Sequence, residues 1–240
     1  MSVGDVETAA RNMFALSRNP YPGRGIVIGM DKTGQNMVQI YWIMGRSENS
    51  RNRVFSSDGG RLFTEAADPA KVKDPRLIIY NAMKENDQLF VVTNGVQTDL
   101  VISVGNFMGA MNICQYEPDA PNFTPRISGI CSFIENEPSF RLAVLRKSLW
   151  SDTCDRLFYS YEEISNGFGF CVTTYSGDGN PLPAFTGEPL LMPLRADIDS
   201  VARFYWEALN AENRVALAVK FISISQRRST ILVVNKFAKV

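Results

Sequence analysis

Arg46, Arg51 and Arg53 fall within the segment Met44–Phe55, interleaved with Ser47, Asn49, Ser50 and Asn52. Guanidinium forks match the oxygens of phosphate and carboxylate, and amides and hydroxyls match the edges of carboxamides. Turn-forming loops draw instead on Gly, Pro and Asp. The segment therefore reads as an anion site, the alternative being a solvated polar loop whose arginines pair with acids elsewhere.

Other chemistry-bearing residues sit beside strand-like runs. Arg24 precedes Ile26–Met30; Tyr80-Asn81 follows Leu77-Ile78-Ile79; Asn94-Gly95, with Asp99, follows Gln88–Thr93; and Glu117 and Thr124-Pro125-Arg126 bracket a loop before Ile127. Each can be read as one wall of a pocket, although none is decisive alone. Tyrosine is common in strands and its hydroxyl finds a partner there. Asn-Gly is a normal strand-ending turn. Glu117 falls at the end of an expected helix, where the macrodipole favours a cation.

Composition restricts the chemistry these groups can perform. The 240 residues contain no histidine, which removes Ser-His-Asp and Cys-His pairs, His-ligated zinc and the commonest general base. Proton transfer falls to Glu, Asp, Tyr, Lys, Cys or water. With 25 Lys+Arg against 25 Asp+Glu, no global field draws the chain to nucleic acid or an anionic membrane. Cys114, Cys131, Cys154 and Cys171 form no CxxC pair, so no zinc knuckle is expected, while their spacing leaves disulfides open. No apolar run is long enough for a membrane span, and the first residues lack the features of a secretory leader. A cytoplasmic location is the default expectation.

The elements that must hold these residues follow from periodicity. Val6–Leu16 has helical spacing, with Val6, Ala9, Ala10, Met13 and Phe14 on one side. Ile26–Met30 and Met37–Met44 flank a Gly34-containing turn and make a hairpin. Strands are expected at 61–64, 76–83, 88–93, 127–134, 140–145, 157–160, 168–174, 215–224 and 230–235, with helices at about 106–115 and at 198–209, the latter capped by Asp197. Many antiparallel strands with few helices argue an α+β fold. The expected organisation is a helical extension over residues 1–20 and a single domain over 21–240.

The ordered series Gly23-Arg24-Gly25, Gly45-Arg46-Ser47 with Asn52-Arg53, Tyr80-Asn81, Asn94-Gly95 with Thr98-Asp99, Tyr116-Glu117 and Thr124-Pro125-Arg126-Ile127 resembles the archaeal-type IMP cyclohydrolase family. The resemblance implies an Ntn-hydrolase-like four-layer αββα sandwich. It also implies dehydrative ring closure of a formamido-imidazole-carboxamide ribonucleotide to inosine monophosphate in purine biosynthesis, the reverse of hydrolysis at a cyclic amidine. Residue 1 is Met, so an N-terminal nucleophile is not expected, and the Glu48-Asn49-Ser50-Arg51 insert makes the arginine loop richer than the family pattern.

Under this resemblance Arg46, Arg53 and either Arg24 or Arg126 hold the 5′-phosphate and polarise the formyl oxygen. Tyr80 and Glu117 transfer protons, and Asn81 and Asn94 orient the carboxamide. Ser47, Asn52, Gly95, Asp99 and Thr124 complete the substrate-binding set. The chemistry requires no metal and no cofactor, and the expected partner is a purine-precursor ribonucleotide, with homo-oligomerisation left open. An Ntn-fold amidohydrolase and a non-catalytic nucleotide-binding protein are the competing readings.

Overall fold

Alternation along β1 (Gly25–Met30) and β2 (Asn36–Met44) sends successive side chains to opposite faces of one sheet. Ile26, Ile28, Tyr41 and Ile43 face one apolar cluster, while Val27, Ile40, Trp42 and Met44 face another. Both faces of these strands are thus buried, which is why they read as near-continuous apolar runs. The computed structural model describes residues 2–72 and 79–239.

The remaining strands are β3 (Val54–Asp58), β4 (Arg61–Glu65), β5 (Asn81–Glu85), β6 (Leu89–Thr93), β7 (Arg126–Ile134), β8 (Glu137–Lys147), β9 (Cys154–Tyr161), β10 (Phe168–Thr173), β11 (Leu190–Pro193), β12 (Arg214–Ser223) and β13 (Ser229–Asn235). They form two sheets, ordered β11-β10-β1-β2-β12-β13 and β3-β4-β5-β6-β7-β8-β9, and every named pairing is antiparallel. The fold is α+β with two antiparallel sheets, in agreement with the sequence.

Ile26, Ile28 and Tyr41 of the first sheet share one core with Phe90, Val92, Ile127 and Leu142 of the second. Each fully buried aliphatic or aromatic side chain contributes roughly 1.5–3 kcal/mol, so this shared cluster dominates the cohesion between the sheets. On the outer face of the first sheet lie α1 (Val3–Arg18) and α5 (Ile198–Ala208), packed through Met13, Leu16, Val201 and Tyr205. On the outer face of the second lie α3 (Gln97–Val104) and α4 (Phe107–Ile113), packed through Val101, Phe107 and Met111. Among the described residues no helix is long and apolar enough to cross a membrane.

Several expectations are corrected. In α1 the buried face is Ala9, Met13 and Leu16, whereas Val6 and Phe14 are exposed, because the helix meets β11 along the i, i+4, i+7 line. The single helix expected near 106–115 is preceded by α3, which ends where Gly105 adopts φ +67°. Glu117 therefore stands beyond the last turn of α4, in a loop. The arginine segment contains a one-turn helix, α2 (Glu48–Arg51), and β3 follows it. Residues 76–78 of the strand expected at 76–83 lie outside the described residues, and β5 starts at Asn81. All four cysteines are free.

Candidate functional site

Antiparallel pairing brings the polar segments to one end of both sheets. Gly25 pairs with Trp42 and with Thr173, so Arg24, the loop after β2 and Thr174-Tyr175 share an end of the first sheet. Thr93 pairs with Ser128, placing Asn94-Gly95 beside Pro125-Arg126 at an end of the second. The Arg24–Glu117–Arg126 bridge joins these two ends. Arg24 Nη1 donates to Glu117 Oε1 at 2.7 Å, and Arg126 Nη1 lies 3.0 Å from the same oxygen.

A cavity of about 350 Å³ opens here, lined by Arg24, Arg46, Arg53, Ser47, Ser50 and Tyr21 on one side and by Asp119, Asn122, Thr124 and Tyr175 on the other. A larger, mainly apolar cavity of about 720 Å³ lies between α1 and α5 and gathers none of the site residues picked out by sequence. Size is the wrong criterion when the chemistry needs charge and proton-transferring groups.

Arg53 is the cavity's least compensated charge. It is 3% exposed, and its Nε and Nη2 donate only to neutral carbonyls, Ser50 O at 2.9 Å and Met44 O at 3.1 Å. Among the described residues no carboxylate pairs with it. Burial and the neighbouring Arg24 charge pull its pKa below the ordinary guanidinium value. An ion held this way gains most from an anion that enters. Arg24 differs: burial opposes its charge, but Glu117 and the phenols of Tyr80, Tyr41 and Tyr175 together hold its pKa well above the ordinary value.

Arg46 occupies the cavity mouth. It pairs with Asp178, donates to Gly179 O at 3.3 Å and lies over the Tyr21 ring at 4.8 Å from the centroid. Ser47 caps α2, its hydroxyl accepting from Ser50 N at 3.2 Å while Ser47 N donates to Ser50 Oγ at 2.9 Å. Arg51 turns away, donating to Gly45 O at 3.0 Å and Asn213 Oδ1 at 3.2 Å. Sequence content alone could not separate it from Arg46 and Arg53.

Tyr80 is buried, and its hydroxyl lies 2.6 Å from that of Tyr41, between the sheets and within electrostatic reach of Arg24. Burial, reinforced by Tyr80, pushes the Tyr41 pKa well up. Asn94 is a clip between β6 and β7: its Oδ1 accepts from Ile127 N at 3.0 Å and its Nδ2 donates to Pro125 O at 2.9 Å. Gly95 leaves room for Arg126, since a Cβ there would stand 2.0 Å from Arg126 Nη1. Gly95→Ala is therefore expected to push Arg126 off Glu117 and lower kcat/KM about tenfold or more, checked by steady-state kinetics beside a thermal melt that stays within a few degrees of wild type.

Of the expected residues, Arg24, Arg46, Ser47, Arg53 and Thr124 line the cavity, whereas Tyr80, Glu117, Asn94, Gly95, Arg126, Asn52, Asn81 and Asp99 are not among its lining residues. Asn52 forms a peptide-like pair with Asp68, at 2.9 and 2.7 Å. Asn81 donates to both oxygens of Asp99, at 2.9 and 3.0 Å, and Lys84 Nζ reaches the same carboxylate at 2.9 Å. The alternation that turns Tyr80 inward turns Asn81 towards α3. Conversely, sequence reading missed Tyr21, Tyr41, Asp119, Asn122 and Tyr175. No local motif marked them. Asp119 Oδ1 accepts from Thr124 N at 2.6 Å, closing the loop between the two residues.

Fold and site together define an α+β protein with a buried cationic cavity at the shared end of two antiparallel sheets. Residues 21–227 match the model of the IMP cyclohydrolase-like protein family, and the chain belongs to that family. No curated protein matches it.

Proposed function

We propose that this protein is an enzyme that closes the second ring of the purine base, converting 5-formamidoimidazole-4-carboxamide ribonucleotide to inosine monophosphate with loss of water. Membership of the IMP cyclohydrolase-like family supports a cyclohydrolase-like role. The observation that carries the specific reading is Arg53, a buried cation without a carboxylate partner among the described residues, beside Arg24 and Arg46 in one cavity. A 5′-phosphate is the anion such a cluster suits. The order helices, sheet, sheet, helices supports the Ntn-hydrolase-like four-layer sandwich as the fold.

Ring closure asks a carboxamide nitrogen to attack a formamide carbon. Both groups sit on one imidazole, so the substrate itself supplies much of the proximity. The protein must stabilise charge on the formyl oxygen and move protons. In this reading Arg53 and Arg46 hold the phosphate, Arg24 polarises the formyl oxygen, and Tyr80 and Glu117 serve proton transfer. Glu117 Oε1 is occupied by two guanidiniums, which leaves Oε2 as its working oxygen.

Incubating purified protein with the formamido ribonucleotide and following the ultraviolet spectrum tests the assignment. Growth of the inosine monophosphate spectrum supports it. Release of formate or ammonia would point instead to an amidohydrolase, and nucleotide-dependent thermal stabilisation without spectral change to a binding protein.

A further inference from the structure

Asp119, Thr124 and Tyr175 form a hydrogen-bonded chain along the cavity wall, of which the family pattern includes Thr124 but neither Asp119 nor Tyr175. Thr124 Oγ1 donates to Asp119 Oδ2, and the Tyr175 hydroxyl lies 2.6 Å from the same Thr124 oxygen. All three residues line the cavity; Thr124 and Tyr175 are buried. The direction of the chain follows from donor counting. An ionised carboxylate has no hydrogen to give, so the single Thr124 hydrogen goes to Asp119, and Thr124 can only accept from Tyr175. With its one hydrogen committed to Thr124, Tyr175 Oη has only lone pairs left to offer any other partner.

We infer that Tyr175 is a catalytic residue that accepts the proton of the attacking carboxamide, with Thr124 and Asp119 as the positioning residues that take up its own. This rests on the ring-closure reading above. As the carboxamide nitrogen forms its bond to the formyl carbon, one N–H proton passes to Tyr175 Oη, the Tyr175 proton to Thr124 Oγ1, and the Thr124 proton to the Asp119 carboxylate. The formyl C=O π pair moves onto oxygen, beside the arginines. Reverse transfer along the chain then protonates that oxygen and gives the carbinolamine, restoring the resting state. Loss of water, in which the carbinolamine C–O bond breaks and the former formamide N–H proton leaves, follows as a separate step, the one served by Tyr80 and Glu117.

Burial, with Thr124 and the Arg24 charge acting against it, pushes the Tyr175 pKa up to about 12. A phenol held protonated in this way suits a group that takes up one proton as it passes its own to Thr124. The relay also gives Thr124 a role that its place in the expected substrate-binding set did not specify.

Steady-state kinetics on the formamido ribonucleotide, with wild type as control, tests the relay. Tyr175→Phe is expected to lower kcat about a hundredfold, with KM changed by less than about threefold. Thr124→Val is expected to lower kcat similarly, and Thr124→Ser, which keeps the hydroxyl, to restore it to within about threefold of wild type. Absence of wild-type turnover overturns both the ring-closure reading and the relay. With wild-type turnover present, full kcat in Tyr175→Phe, or equal kcat in Thr124→Ser and Thr124→Val, overturns the relay and leaves ring closure standing.

Discussion

Replacing Arg24 with Met is expected to lower kcat/KM about a thousandfold, equivalent to about 4 kcal/mol of lost transition-state stabilisation at 1.36 kcal/mol per decade. The size of the effect follows from the two tasks one guanidinium performs. It lines the cavity, and it donates to Glu117 Oε1 at 2.7 Å. Its loss removes the charge proposed for the formyl oxygen and leaves Glu117 held by Arg126 alone. Arg24→Lys should recover only part of the rate, because an ammonium lacks the planar fork that spans a carboxylate and a second acceptor together. A loss of less than about tenfold in Arg24→Met, measured on protein with an unchanged melt, would remove Arg24 from the transition-state account.

Arg53→Met is the second large effect, and it should separate binding from chemistry. The variant deletes a buried charge that has no carboxylate partner among the described residues. KM is expected to rise about a hundredfold with kcat changed much less, the signature of a group binding ground and transition states alike. Under the proposed function inosine monophosphate should stabilise the wild type thermally, and that stabilisation should largely disappear in the variant as affinity falls. The ligand-free protein should lose little stability, because burying an apolar chain of similar length offsets the two hydrogen bonds to Ser50 O and Met44 O. An unchanged KM would assign the phosphate to other residues.

Tyr41 shows how far the sequence could be read and where it stopped. Its strand, with Trp42 and Ile43, was plain from alternation, and the α+β class followed from the accumulation of such strands. That Tyr41 faces the opposing sheet and meets Tyr80 depends on how two sheets stack, which no local pattern encodes. The same holds for Asp119 and Tyr175. Neither was picked out in the sequence, and Thr124 and Tyr175 are 51 positions apart. Arg51 and Arg53 illustrate the reverse difficulty. They are the same residue type two positions apart, and only the one-turn helix between β2 and β3 sends one towards Asn213 and the other into the cavity. Asn81 and Asp99 were legible as members of two separate motifs in an ordered series, but that they meet each other was not.

The Asn52–Asp68 pair, outside the cavity, bears on how affinity is generated. Asn52 fastens the chain beside Arg53 to a distant loop, Arg51 fastens it to Gly45 and Asn213, and Ser47 and Ser50 cap each other. These bonds tie the cationic loop to the fold without any ligand, so under the proposed function the entropy of ordering it is charged to folding rather than to association. Nucleotide capture should then proceed without a disorder-to-order step, giving fast association, little heat-capacity change beyond that of the contact area itself, and an affinity that remote substitutions at Asn52 or Arg51 can erode without touching the ligand.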